Sequence, residues 1–160
     1  MRSAAATPPG ADALVIRAVR RGDLDAVIAI DASVTGLAKR KYWASVFRRY
    51  GAGGRSPQQF LVALVQGRVV GFVIGEVRDW EFGSPPCGWV FAIDVDPQQR
   101  LKGVGTQLLA AISAGFRRGG VRTLRTMLAR DNTLMLSFFR SQGLMAGPLM
   151  SLETQLEDPA

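Results

Sequence analysis

The fold is decided by one stretch in the second half of the chain, Ile93-Asp-Val-Asp-Pro-Gln-Gln-Arg-Leu-Lys-Gly-Val-Gly-Thr-Gln-Leu-Leu109. Its apolar start predicts a buried strand, and its end opens a segment with apolar residues at helical spacing. Between the two, Gly103 and Gly105 let a ligand approach the backbone closely. The first N–H groups of a helix have no internal partner and, with the helix dipole, attract anions. Because Arg100 and Lys102 add positive charge, the stretch predicts a pyrophosphate site.

Two other phosphate-binding loops fit this stretch poorly. A Walker A loop needs a lysine before its Ser or Thr, but Thr106 follows Gly105 directly. A dinucleotide fingerprint needs a third glycine, where Leu108 stands. A plain strand–loop–helix joint, with its glycines used for packing, stays open as an alternative.

The flanking sequence predicts a mixed α/β fold in one domain, with helices on both faces of a central sheet. Residues 1–12 are expected to be a flexible tail, and residues 13–157 the domain. Gly67-Arg68 is expected to join two strands in a hairpin, and the second of these strands has an alternative end at residue 82. Residues 145–156 are expected to form one or two strands. The expected strands are 13–19, 60–66, 69–77, 89–95, 121–128 and 145–156, and the expected helices are 23–33, 37–50, 104–117 and 132–142.

Composition excludes several kinds of site. The chain has 160 residues, 48% of them hydrophobic and 21% charged, as in a globular domain. It contains no histidine, which excludes histidine-based triads and nearly every common zinc site. The single Cys87 rules out a disulfide framework and fits a reducing compartment. We therefore expect no metal, no membrane span and no secretion signal, and a cytoplasmic location.

Positive charge is concentrated in two stretches. The net charge is +7, and no acidic residue occurs in residues 32–75 or 97–130. Such stretches attract nucleic acid, an anionic surface or a polyphosphate cofactor, although a solvated basic face is the alternative. In the first stretch, Trp43, Phe47 and Tyr50 recur at helical spacing, which favours core packing over a nucleic-acid surface.

Four residues of the deciding stretch carry a resemblance to a known family. Pro97, Arg100, Gly103 and Gly105 match the pattern Pro-x-x-Arg/Gln-x-x-Gly-x-Gly/Ala between a strand and a helix. This pattern is similar to the central signature of the GNAT superfamily of acyl-CoA-dependent N-acetyltransferases. The resemblance implies a mixed sheet that splays open between two central parallel strands, with acetyl-CoA as co-substrate.

A second motif supports the resemblance. A predicted strand is followed by Asn132, then by the pair Phe138-Phe139 and by Gly143-Leu144. The corresponding residues follow a strand in the family as well. The family's aromatic pair often ends in a tyrosine that is proposed to protonate the leaving thiolate. Phe139 has no proton to give, so the usual acid is absent here.

The resemblance also implies which residues bind acetyl-CoA. Backbone of the strand end would pair with the pantetheine arm like an added strand, and backbone amides of the loop would hold the pyrophosphate. Arg100 and Lys102 would lie near the phosphates, Asn132 would contact the pantetheine, and Phe139 would lie near the sulfur. The implied binding residues are Ile93, Asp94, Val95, Arg100, Leu101, Lys102, Gly103, Val104, Gly105, Thr106, Asn132 and Phe139.

The implied reaction is direct attack of a primary amine on the acetyl thioester in a ternary complex. Backbone N–H groups near Val95 would stabilise the oxyanion, and a carboxylate would take the proton from the amine. The candidate bases are Glu81 and then Glu76, followed by Asp79 and Asp94. Strand alternation leaves the face of Asp94 undecided, and each carboxylate has a solvated surface position as its alternative.

Two other functions stay open. The absence of the usual acid at Phe139 is compatible with a non-catalytic acyl-CoA-binding or sensor domain. The net charge is compatible with a basic nucleic-acid-binding domain, which we rank last. Residues 31–36 link the first two helices, a segment that often borders the acceptor site in the family. The acceptor, a small molecule or a peptide or protein amine, is not identified, and a homodimer is a further expectation.

Overall fold

The computed structural model describes residues 13–51 and 57–156. The predicted tail, residues 1–12, lies outside the described residues, as does residue 157 at the end of the predicted domain. The chain divides into two compact units, Met1–Met127 and Leu128–Ala160, and each is described by itself.

The first unit contains a five-stranded sheet with the spatial order β1-β2-β3-β4-β5. All neighbours are antiparallel except the parallel pair β4 and β5. This confirms the predicted mixed α/β class. The strands are β1 Val15–Ala18, β2 Gln58–Val65, β3 Arg68–Arg78, β4 Cys87–Val95 and β5 Leu124–Thr126.

The pairing of β3 with β4 contains a bulge. Ile74 pairs with Ala92 but Gly75 pairs with Val90, so Phe91 is the extra residue on β4. A bulge bends its strand and increases the local twist. Beyond it the register is regular up to Val95, which pairs with Gly71.

Two helices cover one face of the sheet. They are α1 (Leu24–Thr35) and α2 (Arg40–Tyr50). Trp43 of α2 is 2% exposed, and its ring meets Phe72 edge-on, with 5.1 Å between the ring centroids. Tyr50 is also buried and Phe47 packs against the same core, which confirms the predicted core role of this aromatic stripe.

The opposite face is covered by α3 (Val104–Arg118). Leu108, Ile112 and Phe116 are buried here, as their helical spacing predicts. A Cβ atom on Gly71 would lie 3.1 Å from Leu108, so this glycine faces α3. Since strand residues alternate in direction, the neighbouring Phe72 faces α1 and α2 instead.

The second unit contains α4 (Thr133–Ser141). The one or two strands predicted over 145–156 are wrong, because no strand forms in that described segment. Met145, Met150 and Leu152 are exposed there. β-propensity depends on packing against neighbouring strands, so an apolar pattern alone does not make a strand.

Several boundaries differ from the predicted ones. β3 ends at Arg78 and does not reach residue 82, because Trp80 and Phe82 take positive φ angles of 54° and 49°. Trp80 is 66% exposed and therefore does not belong to the core. The second helix begins at Arg40, three residues later than predicted. The fifth strand covers only Leu124–Thr126 of the predicted 121–128.

The described residues contain neither a membrane-spanning helix nor a metal-binding cluster. No helix among them is long and apolar enough to span a membrane. Within the same residues, no three or more His, Cys, Asp or Glu side chains gather into a metal-binding group.

Candidate active site

The central feature of the site is the place where β4 and β5 part. The two strands pair at Gly88 with Leu124, Trp89 with Arg125 and Val90 with Thr126. β4 then continues to Val95, whereas β5 ends. The Thr126 hydroxyl donates to the carbonyl oxygen of Val90 at 2.8 Å, at the last paired position. The parallel pairing therefore stops at Val90, and the rest of β4 has an open edge on the side of β5. Among the described residues β5 is the last strand of the sheet, so it is not the central strand that the family resemblance implies.

The open edge of β4 presents backbone groups of known direction. The N–H of Asp96 donates to the carbonyl of Val70 at 2.8 Å, so it faces β3. Because N–H directions alternate along a strand, the N–H groups of Ile93 and Val95 face the open edge. The carbonyl of Val95 faces the same edge and accepts from Arg100 Nε at 3.3 Å.

A short turn connects this edge to the N-terminus of α3. The 3-10 turn Pro97–Gln99 is capped by Asp96, whose Oδ1 accepts from the N–H of Gln98 at 2.9 Å. Gly103 stands at the helix N-cap with a φ of +78°. A Cβ atom at this glycine would meet no atom of the described residues within 4 Å, so these residues leave the space in front of the helix open.

The first turn of α3 offers anion-binding donors. The first intrahelical bond runs from the N–H of Gln107 to the carbonyl of Gly103 at 3.0 Å. The N–H groups of Val104 and Gly105 precede it and have no intrahelical acceptor. Arg100 is exposed beside them, and Lys102 Nζ donates to Gln99 Oε1 at 3.2 Å. The helix dipole, the N–H donors and the two cations all attract anions, so this arrangement can hold a phosphate group.

The predicted bases Glu76 and Glu81 lie around one arginine. The Tyr50 hydroxyl donates to Glu76 Oε2 at 3.0 Å, and Arg78 Nε donates to Glu76 Oε1 at 3.4 Å. Burial raises the pKa of Tyr50, and its hydrogen bond to the Glu76 carboxylate raises it further. Arg78 Nε also lies 3.8 Å from Glu81 Oε1, and the Glu81 side chain is 57% exposed.

Asp94 differs from those two carboxylates. It pairs with Phe72, so its side chain lies on the face covered by α1 and α2, which answers the question that strand alternation left open. Burial raises its pKa to about 6, and the nearby Asp31 charge adds to the effect. Arg100 and Lys39 act in the opposite direction.

Asp31 of α1 is a buried carboxylate with both oxygens engaged. It is 4% exposed, and Trp43 Nε1 donates to Oδ2 at 2.8 Å. Lys39 Nζ lies 3.1 Å from Oδ1. The sequence pointed to the segment 31–36 only through the family resemblance, and it gave no role to Lys39. The one available signal was that Asp31 is the last acid before an acid-free basic stretch.

The remaining two predicted binding residues belong to the second unit. Asn132 caps α4, with its Oδ1 accepting from the N–H of Met135 at 3.1 Å. Phe139 is buried, and its ring centroid lies 5.2 Å from that of Phe138. The other predicted binding residues, from Ile93 to Thr106, all lie on the strand end, the turn and the start of α3.

Two known proteins with similar sequences are acetyltransferases. The chain is 36% identical over 83 residues to an L-2,4-diaminobutyric acid acetyltransferase of Nocardia farcinica, covering 52% of this chain and 42% of that protein. It is 31% identical over 98 residues to a mycothiol acetyltransferase of Kocuria rhizophila, covering 59% and 32%. The chain thus spans less than half the length of these curated relatives.

A solved structure shows the same fold. An aminoglycoside N-acetyltransferase in complex with CoA superposes with a TM-score of 0.79 at 19% identity, covering 93% of this chain and 98% of that one. Residues 26–144 match the acetyltransferase (GNAT) family. The match includes the end of β4, the turn and all of α3. The chain therefore belongs to the acetyltransferase (GNAT) family.

Proposed function

We propose that the protein transfers an acetyl group from acetyl-CoA to a primary amine. The observation that carries the proposal is the open edge of β4, which leads through one turn to the exposed N-terminus of α3. An extended arm with amide groups fits such an edge, and a pyrophosphate fits such a helix end. Acetyl-CoA has both parts.

The chain's own groups fit this substrate. The N–H groups of Ile93 and Val95 are directed to the open edge, where the pantetheine amides pair with them. The backbone amides of residues 101–106 receive the pyrophosphate, and Arg100 and Lys102 contribute positive charge. The open space at Gly103 supports the fit, because a side chain there would occupy the position of the phosphates.

The proposed reaction is a direct transfer in a ternary complex. A backbone N–H near Val95 polarises the thioester carbonyl and stabilises its developing negative charge, a contribution of about 3 kcal/mol per well-aimed donor. A carboxylate accepts the proton of the amine, with Glu81, Glu76 and Asp94 as the candidates. Thiols have a pKa near 8.5, so CoA thiolate leaves without a strong acid, and water replaces the tyrosine that Phe139 does not supply.

The acceptor belongs, in this proposal, to the small-molecule primary amines. The names of the related proteins, which refer to aminoglycosides and to diaminobutyric acid, support this class. A cytoplasmic location and a homodimer are further parts of the proposal. The buried, unpaired thiol of Cys87 fits a reducing compartment.

The test combines a binding and a turnover measurement. Titration calorimetry with CoA should give a saturable heat, and thiol release from acetyl-CoA should rise above the amine-free rate with at least one acceptor. The acceptor panel contains an aminoglycoside, 2,4-diaminobutyrate, a polyamine and a peptide with a free N-terminus. Absence of heat with CoA, together with thiol release at the amine-free rate throughout, would reject the proposal.

A second candidate function is a non-catalytic acyl-CoA-binding domain. The specific observation in its favour is Phe139, which lacks the proton of the tyrosine often found there in the family. In this case CoA would bind in the calorimeter, but no amine in the panel would accelerate thiol release. The same pair of measurements therefore separates the two functions.

A further inference from the structure

We infer that the Asp94 carboxylate is the group that takes the proton from the acceptor amine, with Asp31 as its positioning residue. This inference rests on the proposed acetyl transfer. It selects one base from the candidates and assigns a role to a buried acid that sequence analysis left without one.

Asp94 lies on the part of β4 that borders the open edge. It lies between Ile93 and Val95, whose N–H groups face the open edge of β4, so its Cα is about 3.8 Å from theirs. Its side chain lies on the face covered by α1 and α2. A base at this residue is adjacent to the donors that polarise the thioester carbonyl.

The competing base Glu76 lies far along the sheet from Asp94. Glu76 lies on β3 four residues from Phe72, the partner of Asp94. At about 3.3 Å per residue, this separation is roughly 13 Å. Glu81 lies beside Arg78, which is two residues farther along β3. A proton acceptor must lie within hydrogen-bond reach of the amine, directly or through one water.

The carboxylates of Glu76, Asp31 and Asp94 differ in their hydrogen bonding. Glu76 is engaged by Tyr50 and Arg78, and Asp31 by Trp43 and Lys39. In the described part of the chain, the half-buried Asp94 carboxylate has neither a hydrogen-bond partner nor an ion-pair partner. A carboxylate near the open edge whose oxygens are not engaged is available to an incoming ammonium group.

The charges around Asp94 define how Asp31 acts. The charged groups whose electrostatic interaction with Asp94 affects its pKa are Asp31 on α1, Lys39 before α2 and Arg100 after the 3-10 turn. Asp31 makes Asp94 more basic, whereas the two cations make it less basic. Because Lys39 and Trp43 hold Asp31 in place, the negative charge stays fixed beside the proposed base.

The proposed step balances its protons and electrons. The Asp94 carboxylate takes one proton from the ammonium group, and the nitrogen lone pair then attacks the carbonyl carbon of the thioester. As the C–N bond forms and the C–S bond breaks, the electron pair leaves on sulfur. A second N–H proton goes to the thiolate, and Asp94 releases its proton to water. The products are an amide, CoA thiol and one proton.

The kinetic test uses Asp94→Asn, with Asp25→Asn as the matched control. Asp25 is an exposed carboxylate on α1 that pairs only with Arg40 among the described residues. With any accepting amine of the panel, kcat/KM of the wild type should rise with pH and level off above about 6. Asp94→Asn should lose at least about 100-fold in kcat and lose the acid limb, while CoA binding stays unchanged. Asp25→Asn should match the wild type.

In the same experiment, Glu76→Gln tests whether Glu76 is the base instead of Asp94. If Asp94→Asn stays within threefold of the wild type, or if Glu76→Gln rather than Asp94→Asn removes the acid limb, the inference is wrong. These outcomes leave the proposed function intact, because the wild type still turns over. A wild type that binds CoA and acetylates no amine overturns both.

A second readout needs no substrate. The side-chain carboxyl carbon of Asp94 can be titrated by NMR in the wild type and in Asp31→Asn, a change that keeps an acceptor for Trp43 Nε1. Removal of the Asp31 charge should lower the pKa of Asp94, whereas Asp25→Asn should leave it unchanged. An Asp94 pKa that is the same in all three proteins would contradict the positioning role.

Discussion

Replacing Gly103 by alanine separates ligand binding from folding stability. Gly103 has a φ of +78° and open space where a Cβ would lie. An L-residue in this conformation costs roughly 1–2 kcal/mol, and no overlap with neighbouring atoms adds to that cost. Gly120, just beyond the other end of α3, has a φ of +83° and equally open space. Gly120→Ala is therefore a control with the same backbone strain at the opposite end of the helix.

The two variants should differ in their affinity for CoA. The new methyl group at residue 103 lies beside the N–H donors of Val104 and Gly105, where the proposed function has the pyrophosphate bind. Loss of one charge-assisted hydrogen bond costs about 1.5–3 kcal/mol, which is roughly a 10- to 100-fold increase in Kd. The methyl group at residue 120 lies at the far end of α3 and should leave the Kd unchanged.

The assay pairs urea unfolding with calorimetric titration of CoA. Both variants should lose a similar free energy of unfolding, and only Gly103→Ala should lose affinity. If Gly103→Ala binds CoA as tightly as Gly120→Ala does, the helix end is not the pyrophosphate site and the reasoning fails.

Three further predictions concern stability. Asp23 accepts hydrogen bonds from both terminal nitrogens of Arg17, at 2.7 and 3.0 Å, so Asp23→Ala should lower the free energy of unfolding by about 2–3 kcal/mol in urea. These bonds make the pKa of Asp23 lower in the folded state than in the unfolded state. Asp23 therefore contributes fully to the free energy of unfolding above its unfolded-state pKa, and this contribution is lost as the pH falls through its folded-state pKa. Thermal unfolding across the acid range should show a weaker pH dependence in the variant than in the wild type. Gly75→Ala should cost about 1–3 kcal/mol, since its Cβ would lie 2.7 Å from the carbonyl oxygen of Trp89; an unchanged Tm would contradict this packing. Leu101→Gly should raise the free energy of unfolding by up to about 1 kcal/mol, because Leu101 has a φ of +63° and its side chain is fully exposed. A lower Tm in this variant would contradict the prediction and show that the side chain makes a contact.

Most of the sheet and its two helical layers were predictable from local patterns. The continuous apolar runs of β2 and β3 are typical of strands buried on both faces. The 3.6-residue spacing of Leu108, Ile112 and Phe116 follows from burial on one side of α3. The glycines before α3 identified the helix end because a left-handed N-cap and close backbone approach both favour glycine.

The errors arose where distant partners decide the structure. The apolar pattern over 145–156 predicts strands, but a strand needs a neighbouring edge, and local sequence does not specify one. β3 ends at Arg78 because Trp80 and Phe82 adopt left-handed backbone angles, which aromatic residues rarely do.

The positions of the Asp94 and Asp31 carboxylates also depend on distant contacts, which local sequence does not specify. Spacing alone did not assign a face to Asp94, because the bulge at Phe91 shifts the register between β3 and β4. Only the pairing of Asp94 with Phe72 directs its side chain toward α1 and α2. The proximity of Asp31 depends on how α1 packs on the sheet, and no motif in the sequence encodes that packing.

The most direct test of the account is an NMR titration of the backbone amides with CoA. The account predicts the largest shifts at the N–H groups of Ile93, Val95, Val104 and Gly105, and slower hydrogen exchange at Ile93 and Val95 once CoA is bound. Shifts concentrated elsewhere in the chain, with these four amides unchanged at saturating CoA, would contradict it.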